Sequence, residues 1–207
     1  MSFPNRRQLR WIVKPVWFFA CLSPFLWLCL RAFGLAGEDL GADPIEATQD
    51  FTGIWALRIL LVTLAITPAR RLTGLIWLTQ LRRMTGLFAL FYASAHVLNY
   101  LIPDQGLNWA AIIEDILERP FITLGALALT GLVALGITST RGWQIRLGKR
   151  WQTLHRLVYL IAIVVVWHFW WQVKEVITEP AIYAAILAAL LGSRLVKKKR
   201  ARSAPDA

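Results

Sequence analysis

Six stretches of this chain are apolar over the length of a bilayer-crossing helix, and the loops between them alternate in charge. A hydrocarbon core of about 30 Å takes about 20 helical residues. Lipid offers the backbone no hydrogen bonds, so a segment that crosses it has to satisfy its own N–H and C=O groups, which an α-helix does. The stretches run from Val16 to Phe33, Phe51 to Thr67, Met84 to Ile102, Phe121 to Ser139, Leu154 to Trp171 and Ala181 to Leu195. The last is short and alanine-rich; it can start earlier, with Pro180 in its first turn, where a missing N–H does no harm. With 57% hydrophobic and 17% charged residues the chain is too apolar for a soluble domain. The expected fold class is an all-α integral membrane protein, a six-transmembrane-helix bundle over residues 16–195. A basic N-terminus (1–15) and a basic tail (196–207) flank it.

The loops give the orientation. Basic clusters stand at Arg6, Arg7, Arg10 and Lys14, at Arg70, Arg71, Arg82 and Arg83, at Arg141, Arg146, Lys149 and Arg150, and at Lys197 to Arg200. Between them lie acidic loops with Glu38, Asp39, Asp43, Glu46 and Asp50, then Asp104, Glu114, Asp115 and Glu118, then Glu175 and Glu179. By the positive-inside rule both termini are cytoplasmic. The net charge of +11 is then a topology signal, and the basic tail reads as a membrane-flanking patch with no nucleic acid as partner. The first apolar stretch outruns a usual signal-peptide core, which favours a retained signal-anchor. Cys21 and Cys29 share that stretch at a spacing that fits neither a redox nor a zinc motif. No internal repeat and no second, soluble domain is visible.

All three histidines, His96, His155 and His168, lie in or at the ends of apolar stretches. An ionisable side chain in a bilayer reads as functional, and neutral imidazole is a common haem ligand. The third stretch travels outward from Met84, so at 1.5 Å per residue His96 lies ~18 Å from the inner boundary. His168 ends the fifth stretch, also outward. Two histidines from different helices at similar depth can clamp a haem between them, or form a polar interhelical contact. His155 sits near the cytoplasmic face. A symmetric partner fourteen residues before His96 would be Arg82, beside Arg83, and guanidinium has no acceptor with which to ligate iron. Either an inner haem is held by His155 with an unusual or absent sixth ligand, or His155 serves a flavin, a quinone or a hydrogen bond. On an ideal helix His155 and His168 face about 140° apart. Gly86, Ala89 and Ala93, and Gly125, Gly131 and Gly136, thin the third and fourth stretches for close helix packing or for a flat macrocycle. Arg58, within the second stretch, can pair with a haem propionate or snorkel to the outer interface.

The six-stretch layout, R-R-M-T-G-L-F-A-L-F-Y-A-S-A-H over Arg82 to His96, and W-Q-T-L-H-R-L-V-Y-L over Trp151 to Leu160 followed by His168, resemble the MsrQ (YedZ) family within the ferric-reductase-like transmembrane proteins. The resemblance covers most of the chain. It implies a haem b protein of the bacterial inner membrane, with one or two haems ligated by His96, His155 and His168. It also implies an FMN, respiratory quinol as electron source, and a periplasmic molybdopterin partner, MsrP, that reduces methionine sulfoxide in proteins. Beside the resemblance, nothing after the last stretch reads as a nicotinamide-binding G-x-G-x-x-G or βαβ unit. No constellation for sulfoxide chemistry is present either, so the catalytic site is expected on the partner. A self-contained metalloreductase shares this architecture. A small transporter fits less well, for want of broken helices or inverted repeats.

Overall fold

The computed structural model describes residues 4–37, 40–173 and 177–202, without the side chains of 195–202. Glu38, Asp39, Glu175 and the side chains of Lys197 to Arg200 lie outside the described residues. The described chain is helical, with no strand among the described residues. We number its helices α1 (Arg6–Ala32), α2 (Pro44–Thr73), α3 (Arg82–Asp104), α4 (Trp109–Glu118), α5 (Pro120–Ile137), α6 (Arg141–Leu147), α7 (Lys149–Gln172) and α8 (Thr178–Arg202). Five of them, α1, α2, α3, α5 and α7, are long and apolar enough to cross a membrane. The segment expected as a sixth span is the 25-residue α8.

Two elements are longer or more regular than the hydrophobic pattern suggests. Helix α2 begins seven residues before Phe51, because Asp43 caps it, accepting from the N–H groups of Ile45 and Glu46 at 3.0 Å each, and Pro44 fits the first helical position. Its 30 residues extend about 45 Å, more than a hydrocarbon core of about 30 Å needs, and its acidic first turns, which read as loop, are helix. The acidic segment after Asp104 likewise contains α4, capped by the Asn108 side chain.

The core gathers on α2. Leu57, Leu60 and Leu64 pack with Ala89 and Tyr92 of α3 and Ala162 of α7, each no more than 2% exposed. The helices pair most extensively as α2 with α3 and α5 with α7. The two pairs meet along a thinner seam, α1 packs on the first pair, and α8 bridges α2 and α7.

Prolines inside the long helices free backbone groups, and side chains recover them. Pro24 offers no N–H to Ala20, whose carbonyl accepts from the Ser23 hydroxyl instead (3.1 Å). In the turn this opens, the Tyr92 hydroxyl accepts from Phe25 N–H (2.9 Å) and donates to the Cys21 carbonyl (3.0 Å). Pro68 frees the carbonyl of Leu64 in the same way, and Arg194 of α8 donates to it from Nη2 at 2.8 Å while Nη1 donates to the Tyr159 hydroxyl. Trp17 of α1 adds an indole bond to Thr85 of α3 (2.9 Å).

Candidate functional site

His96, on α3, and His168, on α7, come together across the seam, with ring centres 6.2 Å apart and ring planes at 85°. The two are built alike. His96 Nδ1 lies 3.0 Å from the carbonyl of Gln49 on α2, and His168 Nδ1 lies 2.7 Å from the carbonyl of Phe121 on α5, each contact spanning 47 residues of sequence. A carbonyl only accepts, so both Nδ1 atoms carry the proton and both Nε2 atoms keep their lone pair. The Gln49 amide donates to His96 Nε2 at 3.3 Å, while its oxygen is held by Asn99 at 2.9 Å. Four residues after each carbonyl stands a glycine, Gly53 or Gly125, on which the imidazole lies.

This donor set fits a haem. A metal bonded to one imidazole nitrogen on either side holds the ring centres roughly 6 Å apart, since each bond is about 2 Å long. Among the described residues no three His, Cys, Asp or Glu side chains gather to hold a bare ion. Two imidazoles in a ligating tautomer therefore suit an ion that brings its own equatorial ligands.

His155 is arranged differently. Its Nε2 lies 3.1 Å from the hydroxyl of Thr138, which ends α5 and donates to the Ala134 carbonyl at 2.6 Å. The hydroxyl oxygen thus accepts from His155 Nε2–H, and the lone pair is on Nδ1. The Trp151 ring stacks on the imidazole at 4.1 Å, and its indole N–H bonds the Thr138 carbonyl at 2.9 Å. His155 lines a cavity of about 330 Å³ together with Arg82, Arg83, Gln144 and Trp151. The structure therefore brings His155 and Arg82 to one cavity, at the basic end of the bundle. Between His155 and His168 the helix tightens at Arg156 and Leu157, whose N–H groups reach back three residues. The ideal-helix angle between the two histidines does not hold across that turn.

Arg58 stands five residues past Gly53 on α2, ~7.5 Å further along the helix. Its Nε donates to the Tyr183 hydroxyl of α8 at 2.7 Å, and its guanidinium lies over Trp55 at 5.3 Å. Of the small residues singled out in sequence, Gly125 lies under His168, whereas Gly131 faces Ile161 and Gly136 faces Leu90.

Residues 52–166 match the family described as ferric reductase like transmembrane component. The chain is 49% identical over 186 residues to the protein-methionine-sulfoxide reductase heme-binding subunit MsrQ of Xanthomonas axonopodis pv. citri (strain 306), covering 88% of this chain and 85% of that protein. The chain belongs to the MsrQ family. A protein of the same name from Bordetella pertussis (strain Tohama I) is 47% identical over 195 residues, 93% of each chain. A third, from Xanthomonas campestris pv. campestris (strain 8004), is 54% identical over 167 residues, covering 80% of this chain and 77% of that one.

Gln49, Gly53, the Phe121 carbonyl and Thr138 are not found by sequence reasoning confined to chemistry-bearing side chains. A signal was available. A glycine stands 43 residues before His96 and again 43 residues before His168. The two helix pairs thus repeat one arrangement that a search for contiguous repeats does not see.

Proposed function

We propose that this protein is a b-type cytochrome that carries electrons across the bacterial inner membrane to a periplasmic methionine sulfoxide reductase of the MsrP kind. The pairing of His96 with His168, both Nδ1 atoms tied to backbone and both Nε2 atoms keeping a lone pair, that of His96 held by the Gln49 amide until a metal takes its place, carries the reading. A haem in that position supplies one-electron oxidation and reduction at its iron. The relatives' names, as heme-binding subunits of a protein-methionine-sulfoxide reductase, support the same assignment.

In this reading residues 16–195 form one transmembrane domain of six spans, α8 being the sixth, with both termini and the basic loops cytoplasmic. The His96/His168 pair then lies toward the periplasm. The inner cavity, with Arg82, Arg83, Trp151 and His155 on its wall, is where electrons arrive from the quinone pool. Its cationic and aromatic lining suits an anionic or aromatic group, and a second haem or the FMN implied by the family would be held there by the same residues. Arg58 stays in the assignment as a propionate partner within reach of the outer level. The exposed acids Asp43, Glu46, Asp104, Glu114 and Glu118 form the face that a periplasmic partner meets. With two protein ligands on the iron there is no open position for substrate, so sulfoxide chemistry falls to the partner.

A self-contained metalloreductase is the second reading, favoured by the ferric-reductase-like match over residues 52–166. The two are separated by reducing the protein in right-side-out vesicles, adding purified MsrP-like partner outside, and following haem reoxidation. Reoxidation that requires both partner and methionine sulfoxide is expected, slowed at low salt when Glu114 and Glu118 are changed to Gln. Reoxidation by ferric iron alone, with no response to the partner, would move the assignment to the metalloreductase.

A further inference from the structure

Most helical glycines in the bundle face flexible side chains or open space. A Cβ built on Gly131 would meet the end of Ile161, one on Gly136 the end of Leu90, and one on Gly192 nothing within 4 Å. Gly53 and Gly125 differ. A Cβ on Gly53 would lie 3.0 Å from both Cε1 and Nδ1 of His96, and one on Gly125 would lie 3.1 Å from Cε1 and 3.2 Å from Nδ1 of His168. These are closer than ordinary van der Waals contact, and the atom that would have to give way is a ring held by its own hydrogen bond.

The chemistry of the notch follows from its parts. A helical carbonyl has two lone pairs, one of which serves the helix ladder, so the other is free to accept a side-chain N–H. For an imidazole to reach it, the ring has to lie against the helix one turn further on, where any Cβ would stand in its way. Glycine is unfavourable inside a helix relative to alanine, so its presence under both rings calls for a local reason, and the rings supply it. The same carbonyl, glycine and histidine occur on α2 with α3 and again on α5 with α7, at the same 47-residue span.

We propose that Gly53 and Gly125 are positioning residues that, with the Gln49 and Phe121 carbonyls, set the tautomer and tilt of the two imidazoles that ligate haem. The inference rests on the His96/His168 ligation proposed above. Each glycine acts through its histidine. Without the notch the ring turns away, the Nδ1–H bond lengthens, and Nε2 is displaced with it; outer-sphere partners of this kind orient a ligand and tune its basicity. The crossed ring planes, at 85°, are then a property fixed by the two helices.

The test compares Gly53→Ala, Gly125→Ala and the control Gly192→Ala in the purified full-length protein, with His96→Ala and His168→Ala beside them. Haem per chain, the ferric low-spin electron paramagnetic resonance spectrum and the midpoint potential are read, together with helix content and elution in detergent. Wild type and Gly192→Ala should share one low-spin spectrum. Gly53→Ala and Gly125→Ala should each keep their helix content, retain haem about 10-fold or more weakly, and shift the low-spin g-values and the potential of what remains. Unchanged g-values, potential and haem retention in both folded variants would overturn the proposal. So would haem loss that merely tracks an equal loss of helix, because that makes the glycines packing residues. A wild type without low-spin haem, or one whose signal survives loss of His96 and His168, would instead remove the ligation on which the inference stands.

Discussion

Replacing Tyr92 by Phe should loosen the first helix while leaving the histidine pair intact. The Tyr92 side chain is fully buried, and its hydroxyl stands inside the opened turn of α1, between Phe25 N–H at 2.9 Å and the Cys21 carbonyl at 3.0 Å. Removing it leaves one donor and one acceptor unpaired in an apolar setting, at about 1–3 kcal/mol each. Partial straightening of α1 brings the freed N–H back toward the freed carbonyl, so the net loss should be about 2–4 kcal/mol, toward the lower part of that sum. For a chain of this size about 1 kcal/mol moves the melting temperature by roughly 2–4 °C, which gives a fall of roughly 4–16 °C. Thermal unfolding in detergent, followed by far-ultraviolet circular dichroism, measures it. The haem spectrum at low temperature should be unchanged, since the hydroxyl's partners are both on α1. A melting temperature within about 1 °C of wild type would refute the reasoning, showing that the turn closes by itself.

Two further outcomes are expected elsewhere in the bundle. His155→Ala should alter haem content or redox behaviour at the inner cavity and spare the His96/His168 signal; complete haem loss, equal to that of His96→Ala, would point to a single site that includes His155. Arg194→Met should lower stability by about 1.5–3 kcal/mol, because the Leu64 carbonyl freed by Pro68 loses a charged donor. Adding Pro68→Ala should recover part of that loss by restoring the helical N–H, and strict additivity in that double-mutant cycle would contradict the coupling.

The histidines were legible because an imidazole in an apolar stretch is conspicuous, and helical rise alone placed His96 and His168 at a similar level of the bundle, where their rings meet. Of the two glycine notches Gly125 was legible as a thinned point of its helix, but Gly53 was not, since its role appears only when α2 and α3 pack. The acidic turns of α2 and the whole of α4 read as loop because charge interrupts the apolar pattern there, whereas Asp43 and Asn108 cap helices that begin at Pro44 and Trp109. Arg58 and Arg194 illustrate a further limit. Both are intramembrane arginines by sequence, yet one joins Tyr183 and the other repairs a proline break, and each partner lies more than a hundred residues away in the chain. The all-helical class needed only the length of the apolar stretches; these pairings needed the helices in contact.

The haem proposed between the two helix pairs stands or falls with His96 and His168 as its ligands. The most direct measurement is the dithionite-reduced minus oxidised spectrum, with haem counted per chain, of wild type, His96→Ala and His168→Ala purified from membranes at equal amounts. Wild type should show a sharp α-band and either variant should lose most of it, with the protein still present in the membrane. A full α-band in both variants would contradict it.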